Sequence, residues 1–246
     1  FTVVAEAYAV RGEAKRATNL LQRVVEISPM DFKARQRLIQ RLTDMGEVDQ
    51  AIHEFIKLAD VQYRLAQLDL SRKTYEKALR LAQQTNADAS WSVRILKQMA
   101  DIDLQRLDWR QALRVYEQLR TISPEDELTR TRLIELHARL GQPSQAAAEL
   151  DNFVSYLSGI ARLEDAVTYL KEISAENEDM PFSISKLAEV YTQLGRNTEA
   201  IEQWDRFAEV MVVTGDIERA KEAMRAILLL NPPNADQYRT ALQRLG

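Results

Sequence analysis

The stretch "LGRNTEAIEQWDRF" at residues 194–207 places a glycine at Gly195, a small residue five positions on at Ala200, and aromatics at Trp204 and Phe207. Glycine accepts a left-handed backbone at little cost, so it can end one helix and begin a turn. Ala200 then falls in the first turns of a second helix, with Trp204 on the same face one turn later. The spacing recurs as Gly12–Ala17, Gly46–Ala51, Gly141–Ala146 and Gly215–Ala220, so five of the seven glycines obey it. Weaker forms fill the gaps at Ala66–Ser71, Leu107–Ala112 and Ala161–Ala166. Each instance predicts a helical hairpin. The small residue sits where two helices press together, and a larger one would push the axes beyond their usual separation of about 8–10 Å.

The surrounding residues fit the same unit. A bulky residue follows one turn after the small one at Leu21, Phe55, Tyr75, Tyr116 and Trp204, and Pro29, Pro124 and Pro232 stand where the second helix of a hairpin should close. Apolar residues recur at helical spacing, as in Leu187, Val190, Tyr191 and Leu194, with no convincing alternating strand. The class is all-α. At 46% hydrophobic and 28% charged, the 246 residues can bury a core. The net charge of −4 comes from 33 basic and 37 acidic residues spread along the chain, so no bulk field draws nucleic acid or an anionic membrane. Cysteine is absent, which excludes disulfides and thiol chemistry. No apolar run reaches the roughly 18 residues of a membrane span. A cytoplasmic location is expected.

Small residue, aromatic four on and proline at +12, on a 34-residue period, resembles the tetratricopeptide repeat. Ala17 to Ala51, Ala112 to Ala146 and Ala166 to Ala200 each keep that period. The resemblance covers essentially the whole chain. It implies an α-solenoid of about fourteen antiparallel helices that binds a partner on a concave face. The departures are regular: Ala51 to Ser71, Ala146 to Ala166 and Ala200 to Ala220 are only 20 residues apart. A shift of 95 residues lays "ISPMD" (27–31) on "ISPED" (122–126) and "RQRLI" (35–39) on "RTRLI" (130–134), and a further shift of 54 continues the alignment. Twenty residues hold one helix of about 18 residues, about 27 Å long. Single helices shared by successive repeats are therefore expected across 48–66, 143–161 and 197–214. The chain starts and stops inside repeats, so residues 1–246 are expected to be one repeat domain forming an interior segment of a longer protein.

Chemistry is sparse. His53 and His137 have no ligand or triad spacing; His137 takes a packing position and His53 a solvated one. The acidic run "SAENEDM" (174–180) reads as a connector without a calcium-loop register. The glycines are too scattered for a phosphate loop. Trp204 is core by repeat position, while Trp91 and Trp109 near helix starts are partly exposed. No enzyme, cofactor or metal is expected.

One feature stands out. Arg37, Arg132 and Lys186 coincide under both shifts, and Gln40, Glu135 and Glu189 follow three places on. Lys97 and Asp101 hold similar places in a less regular repeat. In the family these positions commonly face the groove; the plainer reading is an exposed charge pair along one helix. The family's two-carboxylate clamp for chaperone tails would place asparagine where Glu6, Gln40, Asp101, Glu135 and Glu189 stand, which disfavours a terminal carboxylate as ligand. The reading is a non-catalytic scaffold for a protein or peptide partner, with mainly acidic charge on that partner and no nucleic acid. A regulatory domain of an ATPase or transcription regulator that binds a small effector is the alternative.

Overall fold

One bond closes most of the turns that lack proline among the described residues. Three residues past the helix end, a backbone N–H reaches the carbonyl five residues earlier: Glu47 to Leu42 at 2.9 Å, Gln67 to Gln62 at 3.0 Å, Asp108 to Asp103 at 2.9 Å, Arg162 to Leu157 at 2.8 Å and Arg196 to Tyr191 at 2.9 Å. The bond requires a left-handed residue just before it. Gly46 (φ 74°) and Gly195 (φ 71°) supply one at no steric cost, and Ala66, Leu107 and Ala161 adopt φ of 57°, 56° and 59° without glycine's freedom. The weaker members of the pattern thus make the same turn under strain. Leu107 is 66% exposed, so its side chain contributes little packing. Leu107→Gly should raise stability by about 0.5–1 kcal/mol, the relieved strain exceeding the added flexibility of the unfolded chain. Chemical denaturation of the two proteins side by side measures it.

The computed structural model describes residues 4, 7, 8, 10–176 and 180–245. Residues 4, 7, 8 and 10 are helical. Thirteen bounded helices and no strand follow among the described residues. They are α1 (Ala14–Ile27), α2 (Phe32–Asp44), α3 (Val48–Arg64), α4 (Leu68–Gln84), α5 (Ala89–Gln105) and α6 (Trp109–Ile122). Then come α7 (Glu127–Arg139), α8 (Pro143–Gly159), α9 (Leu163–Glu176), α10 (Pro181–Gln193), α11 (Asn197–Thr214), α12 (Ile217–Leu229) and α13 (Ala235–Arg244). Each predicted shared helix is one unbroken element, namely α3, α8 and α11, and each packs on the helix before it and the helix after it. The helices α1, α6 and α12 end just before Pro29, Pro124 and Pro232, as the proline pattern requires.

The chain forms two compact units, Phe1–Pro124 and Glu125–Gly246. Each is a run of antiparallel hairpins in the α-solenoid class. Contacts between alternate helices make each unit two layers deep. In the first, the Trp91 indole on α5 donates to Asp49 on α3 at 2.8 Å. In the second, Thr131 on α7 meets Tyr169 on α9 at 3.3 Å, Lys186 on α10 meets Asp151 on α8 at 2.7 Å, and Tyr238 on α13 meets Asp205 on α11 at 2.6 Å. Thus α8, α10 and α12 form one layer of the second unit and the odd-numbered helices the other.

The eight small positions of the pattern, Ala17, Ala51, Ser71, Ala112, Ala146, Ala166, Ala200 and Ala220, are all 0% exposed. Where serine replaces alanine, the Ser71 hydroxyl donates to the Ala59 carbonyl at 2.8 Å, so the buried polar atom is satisfied. Ala146→Leu should cost about 1–3 kcal/mol by overpacking a closed helix contact. Ala148→Leu, at an exposed position two residues away, should cost much less. Denaturant melts that rank the pair the other way would place the contact elsewhere.

Candidate functional site

Proline at the first position starts both α8 and α10, where its missing N–H costs nothing. From that start, Phe182, Ser185 and Glu189 fall on one face of α10, and Ser144 and Ala147 on one face of α8. Spacings of three and four likewise align Trp204 with Phe207 on α11, and Arg219 with Glu222 and Ala223 on α12. These faces converge on a cavity of about 410 Å³ within the second unit. Phe207 is buried in its floor against Ile184, Ala220 and Ala223, while Phe182 and Trp204 are half-buried walls. The Trp204 and Phe207 rings meet edge-on, 6.0 Å apart at 75°.

The charge around the cavity is uneven. Lys186 is bonded to Glu189 and to Asp151, the latter at 2.7 Å. Burial pushes its ammonium down, but these two carboxylates more than offset that and hold it above the usual lysine range. Arg219 faces its own helix cap, Asp216, at 3.5 Å. Glu222 has no ion-pair partner among the described residues. The lining residues and their direct partners therefore carry three carboxylates against two cations, and Asp151 adds a fourth carboxylate through Lys186.

The eight residues expected from sequence to contact a partner lie on four helices, α2, α5, α7 and α10. Glu189 lines the cavity and Lys186 stands beside it. Arg132 binds Glu135 at 2.7 Å along α7, and Gln40 donates to Asp44 at 2.8 Å along α2. Arg37 is exposed on α2, and Lys97 and Asp101 are exposed on α5. Each cation with a carboxylate three places on is thus paired within its own helix in the second unit. A shift of 54 residues spans three helices, an odd number, so Arg132 on α7 and Lys186 on α10 belong to opposite layers. Glu6 and residues 177–179 of the acidic run lie outside the described residues. His137 is half-buried with Nδ1 at 2.9 Å from Gln142 Oε1, and His53 is exposed beside the Trp91 ring.

The fold buries charged residues that carry no mark in the hydrophobic pattern. Arg35 binds Glu54 between α2 and α3, and Arg130 binds Glu149 at 2.6 Å between α7 and α8. Both members of one pair map onto the other under the 95-residue shift, and that coincidence was the available signal. In the next copy the positions become Ile184 and Gln203. A third buried pair joins Arg72 to Asp103 at 2.6 Å, where burial holds the Asp103 carboxyl above its ordinary range against the pull of Arg72. Two other hollows, of about 390 and 560 Å³, lie beside Arg35 in the first unit and among α11, α12 and α13 in the second. Neither brings aromatic side chains of tryptophan or phenylalanine together. Among the described residues no acidic, histidine or cysteine cluster could hold a metal, and no helix is long and apolar enough to cross a membrane.

Residues 49–125 match the family model described as tetratricopeptide repeat. No curated protein matches the sequence. Among solved structures, the chain is similar to BtubC (BKLC) from P. vanneervenii, at 13% identity over 94% of this chain and 90% of that one, with a TM-score of 0.41. It is also similar to the C-terminal part of a TPR repeat-containing protein from Cytophaga hutchinsonii, at 14% identity over 96% and 97% of the two chains, with a TM-score of 0.39. A tetratricopeptide repeat protein from Parabacteroides merdae aligns at 13% identity over 98% and 95%, with a TM-score of 0.37.

Proposed function

We propose, from the premise that the chain belongs to the tetratricopeptide repeat family, that it is a non-catalytic module that binds a protein or peptide partner. The observation that carries this reading is the aromatic-walled groove over α8, α10, α11 and α12. Half-buried aromatics beside a concavity suit an inserted partner side chain, because they offer large apolar area at little entropic cost. Glu189 is the nominated residue with the most direct role. Lys186 sets the charge next to it. Arg37, Gln40, Lys97, Asp101, Arg132 and Glu135 belong to this proposal as contacts on their own helices, and a cytoplasmic location belongs to it as well.

Panning a random peptide library on the whole protein tests the reading. Peptides recovered on the wild type should lose at least tenfold in affinity for Trp204→Ala and for Ser185→Arg, a loss of about 1.4 kcal/mol. The arginine variant fills the groove without removing packing, so it remains informative if the tryptophan variant is poorly folded. Recovered peptides that bind both folded variants as well as the wild type would move the working surface elsewhere.

A further inference from the structure

We infer that the groove of the second unit selects a partner segment in which an aromatic or long aliphatic side chain is flanked by lysine or arginine. The inference rests on the groove reading above and adds the sign of the partner's charge, opposite to the mainly acidic partner expected from the recurring cations. Those cations do not present free positive charge at this site. Lys186 is held between Asp151 and Glu189, and its side chain is only 21% exposed. Arg219 meets Asp216 at 3.5 Å with its side chain 63% exposed, so it offsets one of the two lining carboxylates and no more. The balance of charge facing an incoming segment is negative, with Glu189 and Glu222 on the lining against Arg219. Glu222 stands on α12 without an ion-pair partner among the described residues, and Glu189 shares one lysine with a second carboxylate.

The helix starts do not reverse this. Partial positive charge at a helix N-terminus fades within its first turn. Glu189 and Glu222 lie beyond the first turns of α10 and α12, where their full charges dominate. The apolar side chain enters against Phe182, Trp204 and Phe207, and the flanking cation reaches Glu222 or Glu189. A lysine or arginine stem can also cover the exposed face of the Trp204 ring, where a cation is attracted by the π-system.

Three fluorescent synthetic peptides test the charge. They share one Leu-Phe centre and differ only in flanks of lysine, glutamate or serine. The whole protein should bind the lysine peptide at least tenfold tighter than the glutamate peptide, with the serine peptide between them. Binding of the lysine peptide should weaken as salt rises. Glu222→Lys combined with Glu189→Gln should abolish or invert the preference, and Glu222→Gln alone should reduce it. Melting curves check that both variants fold. A glutamate peptide that binds as tightly as the lysine peptide would overturn the inference. So would a preference untouched by the charge variants, or no binding of the lysine peptide. The two readings fail separately. Panning that recovers peptides dependent on Trp204 and Ser185 but poor in lysine and arginine sinks the charge selection and leaves the groove standing. Panning whose peptides ignore both variants sinks the groove itself.

Discussion

Glu149→Ala is expected to destabilise the protein by about 3–5 kcal/mol, far more than a surface carboxylate would. Glu149 and Arg130 have side chains 3% and 7% exposed, and the guanidinium lies over the Phe153 ring at 5.3 Å from its centroid. Arginine cannot shed its proton inside a protein, so removing the carboxylate leaves a positive charge in the core without its main counterion. Urea melting of the whole chain measures the loss. The double variant Arg130→Ile with Glu149→Leu should recover most of it and come within about 1 kcal/mol of the wild type, since an apolar pair of similar volume avoids the desolvation cost altogether. The protein already contains half of that solution, because Ile184 replaces the arginine one copy later and is buried. A double variant as unstable as the single one would mean that the ion pair fixes the register of α7 against α8 rather than filling space.

Phe153→Ala should cost a similar amount, about 3–5 kcal/mol, for a different reason. Its ring is fully buried, meets Tyr169 edge-on at 4.8 Å and 83°, and packs in the cluster that includes Leu150, Leu170 and Tyr191. Truncation opens a cavity that the surrounding helices cannot close, and it also strips the aromatic cover from Arg130. Combined with Glu149→Ala, the loss should therefore fall clearly short of or exceed the sum of the two, because both changes act on the same guanidinium. Strict additivity in a double-mutant cycle would separate the ring from the ion pair.

How much of this was legible beforehand differs from residue to residue. The small positions were readable because close helix approach imposes a local steric rule, and every one of the eight is buried. The shared helices were readable because a 20-residue step has no room for a second helix. Leu107 and Ala161 were visible only as weak echoes of glycine, since a left-handed turn leaves no mark on a residue that adopts it under strain. Trp204 was assigned to the core from its repeat position. It does pack on the core, yet it is half-buried and lines a groove, because α10 and α12 leave one side of α11 uncovered.

By itself, the sequence determined the helical class, the turn positions, the alternation of long and short steps and the helices that successive repeats share. All of these follow from spacing along one strand of chain, where each rule needs only a few neighbouring residues. The tertiary structure alone decided what the charged residues do. Arg35 and Arg130 look like surface arginines until Glu54 and Glu149, each 19 positions on, close over them from the next helix. Arg132 and Lys186 look like two rungs of one ladder until the count of intervening helices sends them to opposite layers. Charge has no periodicity that reveals its partner. Its role is set by distance and burial, and only the packed helices fix those.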